Sequence, residues 1–182
     1  MPSIMRDFPE FHYDEMKTRA ENVLTSYLQS ITKQNPALLS EGTRELKEQL
    51  RLRLEMLQNQ SQKESFENIH IHRTEIHQYR KQRGRQSIVL QTAVEYFHAL
   101  KENGKVIRGS EEHKEQAKYN VELVYIQDQD MIENQEDAGL GLNCPNCGAP
   151  LPGLGAKKCI YCDTPIVEYN LRVWNFSRVQ EV

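Results

Sequence analysis

What is scarce in this 182-residue sequence narrows its class before any motif is read. No apolar run approaches the roughly 18 residues needed to cross a bilayer as a helix. The opening residues, MPSIMRDFPEF, lack the long apolar stretch of a secretory signal. The expectation is a cytoplasmic chain, in contact with a membrane only peripherally at its surface or through a segment not contained in this sequence. An excess of basic charge is also missing. Lys and Arg number 23 against 26 Asp and Glu, for a net charge of -3, whereas nucleic-acid binders usually carry a strongly basic domain. No Ser-His-Asp order, nucleophile elbow or glycine-rich phosphate loop is visible. Hydrophobic residues make up only 38%, below the usual globular share, and mean hydropathy is -0.73. Leu, Ile, Val and Tyr still suffice for a core, so the surplus polarity points to an elongated molecule or to well-solvated helix faces.

The charge that is present is uneven. From Arg73 to Arg85 the chain carries Arg73, Arg80, Lys81, Arg83 and Arg85 against Glu75 alone, and from Asp128 to Asp137 it carries five carboxylates and no base. Such blocks are usually solvated faces or loops.

Periodicity divides the chain into three zones. Met16, Ala20, Val23, Leu24, Tyr27, Leu28 and Ile31 follow the rhythm of one buried helix face. That helix should stop near Asn35-Pro36, because a residue before proline is pushed out of the helical region. Asn35 as cap and Pro36 in the first turn suit a short second helix through Leu39. Ser40 or Thr43 suits the cap of a third, with Leu46, Leu50, Leu54 and Leu57 on one stripe.

From about Phe66 to Gln129 the pattern changes to long antiparallel strands. Ile88, Leu90, Thr92, Val94 and Tyr96 alternate with Gln91 and Glu95, and Tyr119, Val121, Leu123 and Tyr125 alternate with Asn120 and Glu122. Apolar positions shift from odd (Ile69, Ile71) to even (Ile76), which predicts a bulge near Arg73. Gly84 marks one hairpin turn, and Asn103-Gly104 carries the type I′ turn preference. Helices followed by a strand meander predict an α+β fold, with N-terminal helices packed on a curved antiparallel sheet over residues 1–132. An acidic linker then gives way to Gly, Pro and Cys, which places a second, small domain at residues 139–182.

The strongest chemical signal lies in that second zone. NCPNCGAPLPGLGAKKCIYCDTP reads Cys-x2-Cys, eleven residues, Cys-x2-Cys. Each pair can wrap a tight turn around a metal, and Cys144, Cys147, Cys159 and Cys162 together complete a tetrahedron at Zn–S distances of about 2.3 Å. Gly148 and Asp163 tolerate the left-handed backbone such turns need. So short a zone cannot build a large core, and bound zinc contributes on the order of 10–16 kcal/mol to the folding of small zinc peptides. Structural disulfides, a redox Cys-x2-Cys and an iron site are the competing readings. The first lacks an export signal and the second a strand-to-helix context, while the third is chemically allowed. Four thiolates leave no open coordination position, so the expected cofactor is one structural Zn2+.

After the second pair, Trp174 and Phe176 share a strand face. They either plug the ribbon against the main domain or offer an aromatic surface to a protein partner. His70 and His72 also share a strand face, a spacing that can chelate metal, with His77 nearby. No carboxylate or cysteine sits at a fixed offset from them. His12, His98 and His113 have no recognisable partners in sequence.

The order of elements resembles a bacterial family related to the lipid-binding domain of the mitochondrial inner-membrane translocase subunit 44. The residues that carry the resemblance are Pro36 to Leu57 (PALLSEGTRELKEQLRLRLEML), Glu67 to Lys81 (ENIHIHRTEIHQYRK) and Gly104 to Gln116 (GKVIRGSEEHKEQ), followed by a strand and CPNCGAPL. The resemblance implies a nuclear-transport-factor-2-like, cystatin-like cone of helices wrapped by a curved sheet, with a pocket inside. The function it implies is a non-catalytic binding or scaffold protein, whose cone takes an apolar ligand or lipid, or which meets a protein partner at the membrane surface. Cones of this class also host acid–base chemistry, and Glu95, Tyr96, His98 and Tyr125 are the candidate pocket residues for that alternative. A zinc-ribbon nucleic-acid module is a further alternative, with only Lys157 and Lys158 as basic residues between the first and last cysteines.

Overall fold

In the computed structural model, residues 2–82, 85–126, 147, 162 and 174–182 are described. The elements run α1 (Pro2–Asp7), α2 (Tyr13–Lys33), a short 3-10 turn (Pro36–Leu38), α3 (Arg44–Asn59), then β1 (Gln62–Gln82), β2 (Arg85–Glu102), β3 (Lys105–Gly109), β4 (Glu115–Ile126) and β5 (Trp174–Glu181). The fold class is α+β, with an antiparallel sheet that does not close on itself. The strand order is β1-β2-β4-β5, with β3 folded back on β2. Two compact units divide the chain. One holds Met1–Phe11, Tyr79–Ile88 and Val124–Asn175; the other holds His12–Gln78, Val89–Leu123 and Phe176–Val182.

In the second of these units the helices follow their apolar rhythm. All seven positions of the α2 face are buried, together with Ser30, whose hydroxyl is absorbed by the Ser26 carbonyl at 2.7 Å. Helix α2 ends on Gln34 in the left-handed conformation, ahead of proline, as the restriction on pre-proline residues requires. The Asn35 side chain accepts from the Ala37 N–H at 3.1 Å. Thr43, not Ser40, caps α3, its hydroxyl accepting from the Leu46 N–H at 3.3 Å. Leu46, Leu50 and Leu57 are buried while Leu54 is half-buried. Side chains tie these helices to the strands. Thr32 Oγ1 accepts from the Phe66 N–H at 2.9 Å, and the Tyr13 hydroxyl donates to the Thr74 carbonyl at 3.1 Å. Thr74 and Thr92 share a buried hydroxyl bond of 3.1 Å between β1 and β2.

Three features of the strands matter for the site. First, β1 begins at Gln62, four residues before Phe66, so Glu64 becomes a strand residue on the same buried face as Phe66. Its buried phase changes more than once. The odd-to-even change lies between Ile71 and Thr74, and an earlier one lies at Asn68, where φ is 53°. Second, the Asn103-Gly104 turn carries φ of 53° and 77° and joins Glu102 to its partner Lys105, as a type I′ turn demands. The other turn, at Gly84, lies outside the described residues. Third, β5 neighbours β4 in the main sheet.

Candidate functional site: a buried charged cluster around His98

Alternation along β2 turns Tyr96 and His98 to the buried face and leaves Glu95 half-buried on the other. His98 is 8% exposed, and both of its ring nitrogens meet carboxylates. Nε2 lies 2.8 Å from Oε1 of Glu64 on β1, and Nδ1 lies 2.9 Å from Oε1 of Glu115 at the start of β4. The Glu64 contact is a hydrogen bond and the Glu115 contact an ion pair, and carboxylates on both sides favour the protonated ring. The second oxygen of Glu64 is taken by Arg53 of α3, whose Nε donates at 3.1 Å and whose Nη2 also reaches it. The Phe66 ring stacks on the imidazole, with centroids 4.8 Å apart and planes 24° apart.

Two opposing forces set the protonation of this cluster. Burial alone would push the Glu64 carboxyl up, but hydrogen bonds from His98 and Arg53, and their charges, outweigh it and hold the group below the ordinary carboxylate value. Burial alone would depress His98, but the hydrogen bond and charge of Glu64, then the charges of Glu115 and Glu181, raise it. Beside it, the Tyr96 and Tyr119 hydroxyls share a buried bond of 2.8 Å. Burial pushes Tyr96 up to about 12 and Tyr119 upward as well, so both phenols stay neutral.

The backbone closes the cluster from the β3 side. Gly109 has a φ of 80°, and a Cβ there would collide with the His98 carbonyl oxygen. Only glycine combines that left-handed backbone with so close an approach. The next residue, Ser110, donates its N–H to the same carbonyl at 2.7 Å.

The four residues expected to line one pocket are thus not brought together. Glu95 accepts from Lys114 at 3.2 Å and faces His72 Nε2 at 3.3 Å; the Lys114 bond lowers its carboxyl against the small opposing effect of burial. Tyr96 and His98 adjoin each other inside the second unit. Tyr125 belongs to the other unit, where it packs on Phe8 and Trp174 at centroid distances of 4.6 and 5.1 Å. Two clefts, of about 500 and 320 Å³, are lined by Glu45, Gln49, Leu52 and Val179 and by Arg73, His77, Gln91 and Lys118 respectively. Neither is bordered by any of the four.

Trp174 is 1% exposed and Phe176 0%, so of the two alternatives for this pair the buried one holds. Trp174 fills a ring cluster with Phe8, Phe11 and Tyr125, and Phe176 lies under the Arg19 guanidinium at 5.5 Å. Flanking Asn175 and Ser177 are buried as well, so β5 is covered on both faces and the in-out alternation read from sequence fails there.

The zinc reading falls largely on residues outside the description. Cys144 and Cys159 are not among the described residues, Cys147 is exposed and Cys162 half-buried. Among the described residues, no three His, Cys, Asp or Glu side chains form a group fit to hold a metal. His70 and His72 sit edge to face, with ring centroids 4.8 Å apart.

Sequence reasoning missed Glu64 and Arg53. A signal existed for both. Glu64 precedes Phe66 by two residues, the same-face spacing of a strand, and Arg53 lies three after Leu50 and four before Leu57, inside the helical stripe. No helix among the described residues is long and apolar enough to cross a membrane. No protein-family model matches the chain, and no curated protein matches it.

Proposed function

We propose that this chain is a non-catalytic, zinc-containing binding or scaffold protein, related to the family of the translocase-subunit-44 lipid-binding domain. Its helices and sheet would form the cone of that family, taking an apolar ligand such as a lipid tail, or a protein partner at a membrane surface. A zinc ribbon on Cys144, Cys147, Cys159 and Cys162 would serve as a structural clip, since four thiolates occupy every position of a tetrahedral ion.

The observation that carries the non-catalytic reading is the burial and engagement of His98. A general base needs a free lone pair within reach of its substrate, and the buried His98 ring has Nε2 hydrogen-bonded to Glu64 and Nδ1 facing Glu115 in an ion pair. Glu64 and Glu95 are held below the ordinary carboxylate value, the opposite of what a general acid at neutral pH requires.

The test has two arms. Metal analysis of protein purified without added zinc should return one zinc per chain, and Cys159→Ser together with Cys162→Ser should abolish it. Metal-free protein with four reduced or disulfide-paired thiols would overturn the ribbon. Flotation of the zinc-loaded protein with phospholipid vesicles, and titration with a fluorescent fatty acid, test the binding reading. Absence of both lipid arms restricts the function to a protein partner.

A further inference from the structure

Glu115 occupies an unusual position in the charged cluster. Glu64 is deeply buried and doubly held, by Arg53 as well as by His98, with a side chain 7% exposed. Glu115 is 46% exposed and reaches inward from the first residue of β4 to the second ring nitrogen. It follows the short β3 strand and the stretch 110–114, which is fastened to β2 by the Ser110 N–H on the His98 carbonyl. That stretch is also tied to β2 by Lys114, whose Nζ lies 3.2 Å from Glu95, and by Glu111, which pairs with Lys101. One imidazole therefore grips a buried carboxylate with one nitrogen and the start of an exposed segment with the other.

An imidazolium has two N–H donors, and a neutral imidazole has one. When the proton leaves, one nitrogen becomes a lone pair, and it cannot face a carboxylate oxygen at hydrogen-bond distance without repulsion. The two carboxylates are not equal competitors for the remaining N–H. Glu64 cannot leave without stranding a buried charge beside Arg53, which is costly. Glu115 can swing into water at little cost, because it is already half in it.

We propose that His98 is a proton-operated clasp: protonated, it fastens the β3–β4 segment to the sheet through Glu115, and deprotonated, it keeps Glu64 and lets Glu115 and that segment go. The charged and titratable groups around the ring are Arg53 from α3, Glu64 from β1, Tyr96 on β2 itself, Glu115 and Tyr119 from β4, and Glu181 from β5. β3 contributes only the Gly109 backbone. The two phenols, raised by burial, stay neutral and Glu64, held low by its partners, stays ionised, so beside them it is the ring that changes charge. The net carboxylate charge around it raises its proton affinity, so release comes on the alkaline side of an ordinary histidine.

Backbone hydrogen exchange of residues 105–116, corrected for the intrinsic pH dependence and compared between about pH 6 and pH 9.5, reads the clasp directly. The expected result is about a tenfold loss of protection in that segment, centred on the pKa of His98 followed by its ring NMR signals, with α2 and the middle of β2 unchanged. Glu115→Gln keeps the shape but cannot accept as a charge. It should exchange quickly at both pH values, with the global unfolding midpoint nearly unmoved and the His98 pKa lowered. His98→Gln provides a second check, losing the pH dependence altogether. Protection that is flat with pH in the unmodified protein, or unchanged in Glu115→Gln, would overturn the proposal. So would a loss of protection that spreads evenly over the whole sheet.

Discussion

In the unit that contains the N-terminal segment, Trp174 is surrounded by Phe8, Phe11 and Tyr125, at centroid distances of 4.9, 5.5 and 5.1 Å and with the rings tilted or edge-on. In the unit that contains β3, Arg53, Glu64 and His98 are joined by hydrogen bonds, and Tyr96 and Tyr119 form a second bonded pair beside them. The first interior is held by area, and the second by matched donors and acceptors. Ring clusters of this kind tolerate many geometries, since tilted and edge-on pairs differ little in energy. A hydrogen-bonded buried charge does not. Its net worth is modest while complete, but removal of one member leaves another desolvated and unpaired. The two regions should therefore differ less in how much a drastic truncation costs than in how they respond to a conservative one.

The largest effect is expected at Trp174. Trp174→Ala removes a fully buried side chain and should cost about 4 kcal/mol in denaturant unfolding. Trp174→Phe keeps a ring in the cluster and should recover more than half of that loss. A phenylalanine as damaging as alanine would break the comparison, because it would make the ring cluster as particular as the polar one.

Next comes Glu64, where even an isosteric change should hurt. Glu64→Gln leaves the Arg53 and His98 charges without their buried partner and should cost about 3 kcal/mol near neutral pH. The cost should also depend on pH, and both signs follow from linkage. The folded-state value of Glu64 lies below its ordinary one, so its contribution is present above that ordinary value and fades as pH falls through the folded one. His98 is raised instead, so its contribution is complete below its ordinary value and fades as pH rises through the folded one. The stability difference between the protein and Glu64→Gln should thus be greatest in between and shrink on both sides, as urea midpoints across pH would reveal. A difference independent of pH would assign the effect to packing, and the contrast between the two regions would fall.

Much of the apolar framework was legible in the sequence, and the polar interior was not, for one physical reason. Burial of Met16 to Ile31 and of Ile88 to Tyr96 follows from periodicity alone, since side-chain direction is fixed by helix and strand geometry. Chain-reversal residues were similarly plain: Asn35-Pro36, Thr43 and Asn103-Gly104 act where their backbone preferences put them. Glu64 and Arg53 carry charge, and a charged residue in a pattern is read as exposed unless its partner is known. Their partners are 34 and 11 residues away, so only the assembled sheet shows that they are satisfied. For β5 the limit is different: Trp174 and Phe176 take the buried one of the two readings open to them, but Asn175 and Ser177 are buried too. Alternation assigns them one face and leaves the other open, but a strand covered on both faces erases alternation. Gly109 was silent for a similar reason, its necessity lying in the His98 carbonyl that it meets.

The smallest effect, and the finest discrimination, is expected at the two phenols. Tyr96 and Tyr119 are buried, with their hydroxyls 2.8 Å apart. As rings they belong with the aromatic manner of packing; as hydroxyls they belong with the charged cluster. Tyr96→Phe preserves the ring, so any cost comes from the Tyr119 hydroxyl left without its mate, about 1 kcal/mol. Tyr119→Phe should cost a similar amount. The double variant removes both hydroxyls together and leaves none orphaned, so it should be less destabilised than the sum of the singles by about 1 kcal/mol. Additive losses would mean that each hydroxyl finds water or another acceptor once its partner is gone. In that case the polar interior would be looser than its distances imply, and closer in character to the ring cluster around Trp174.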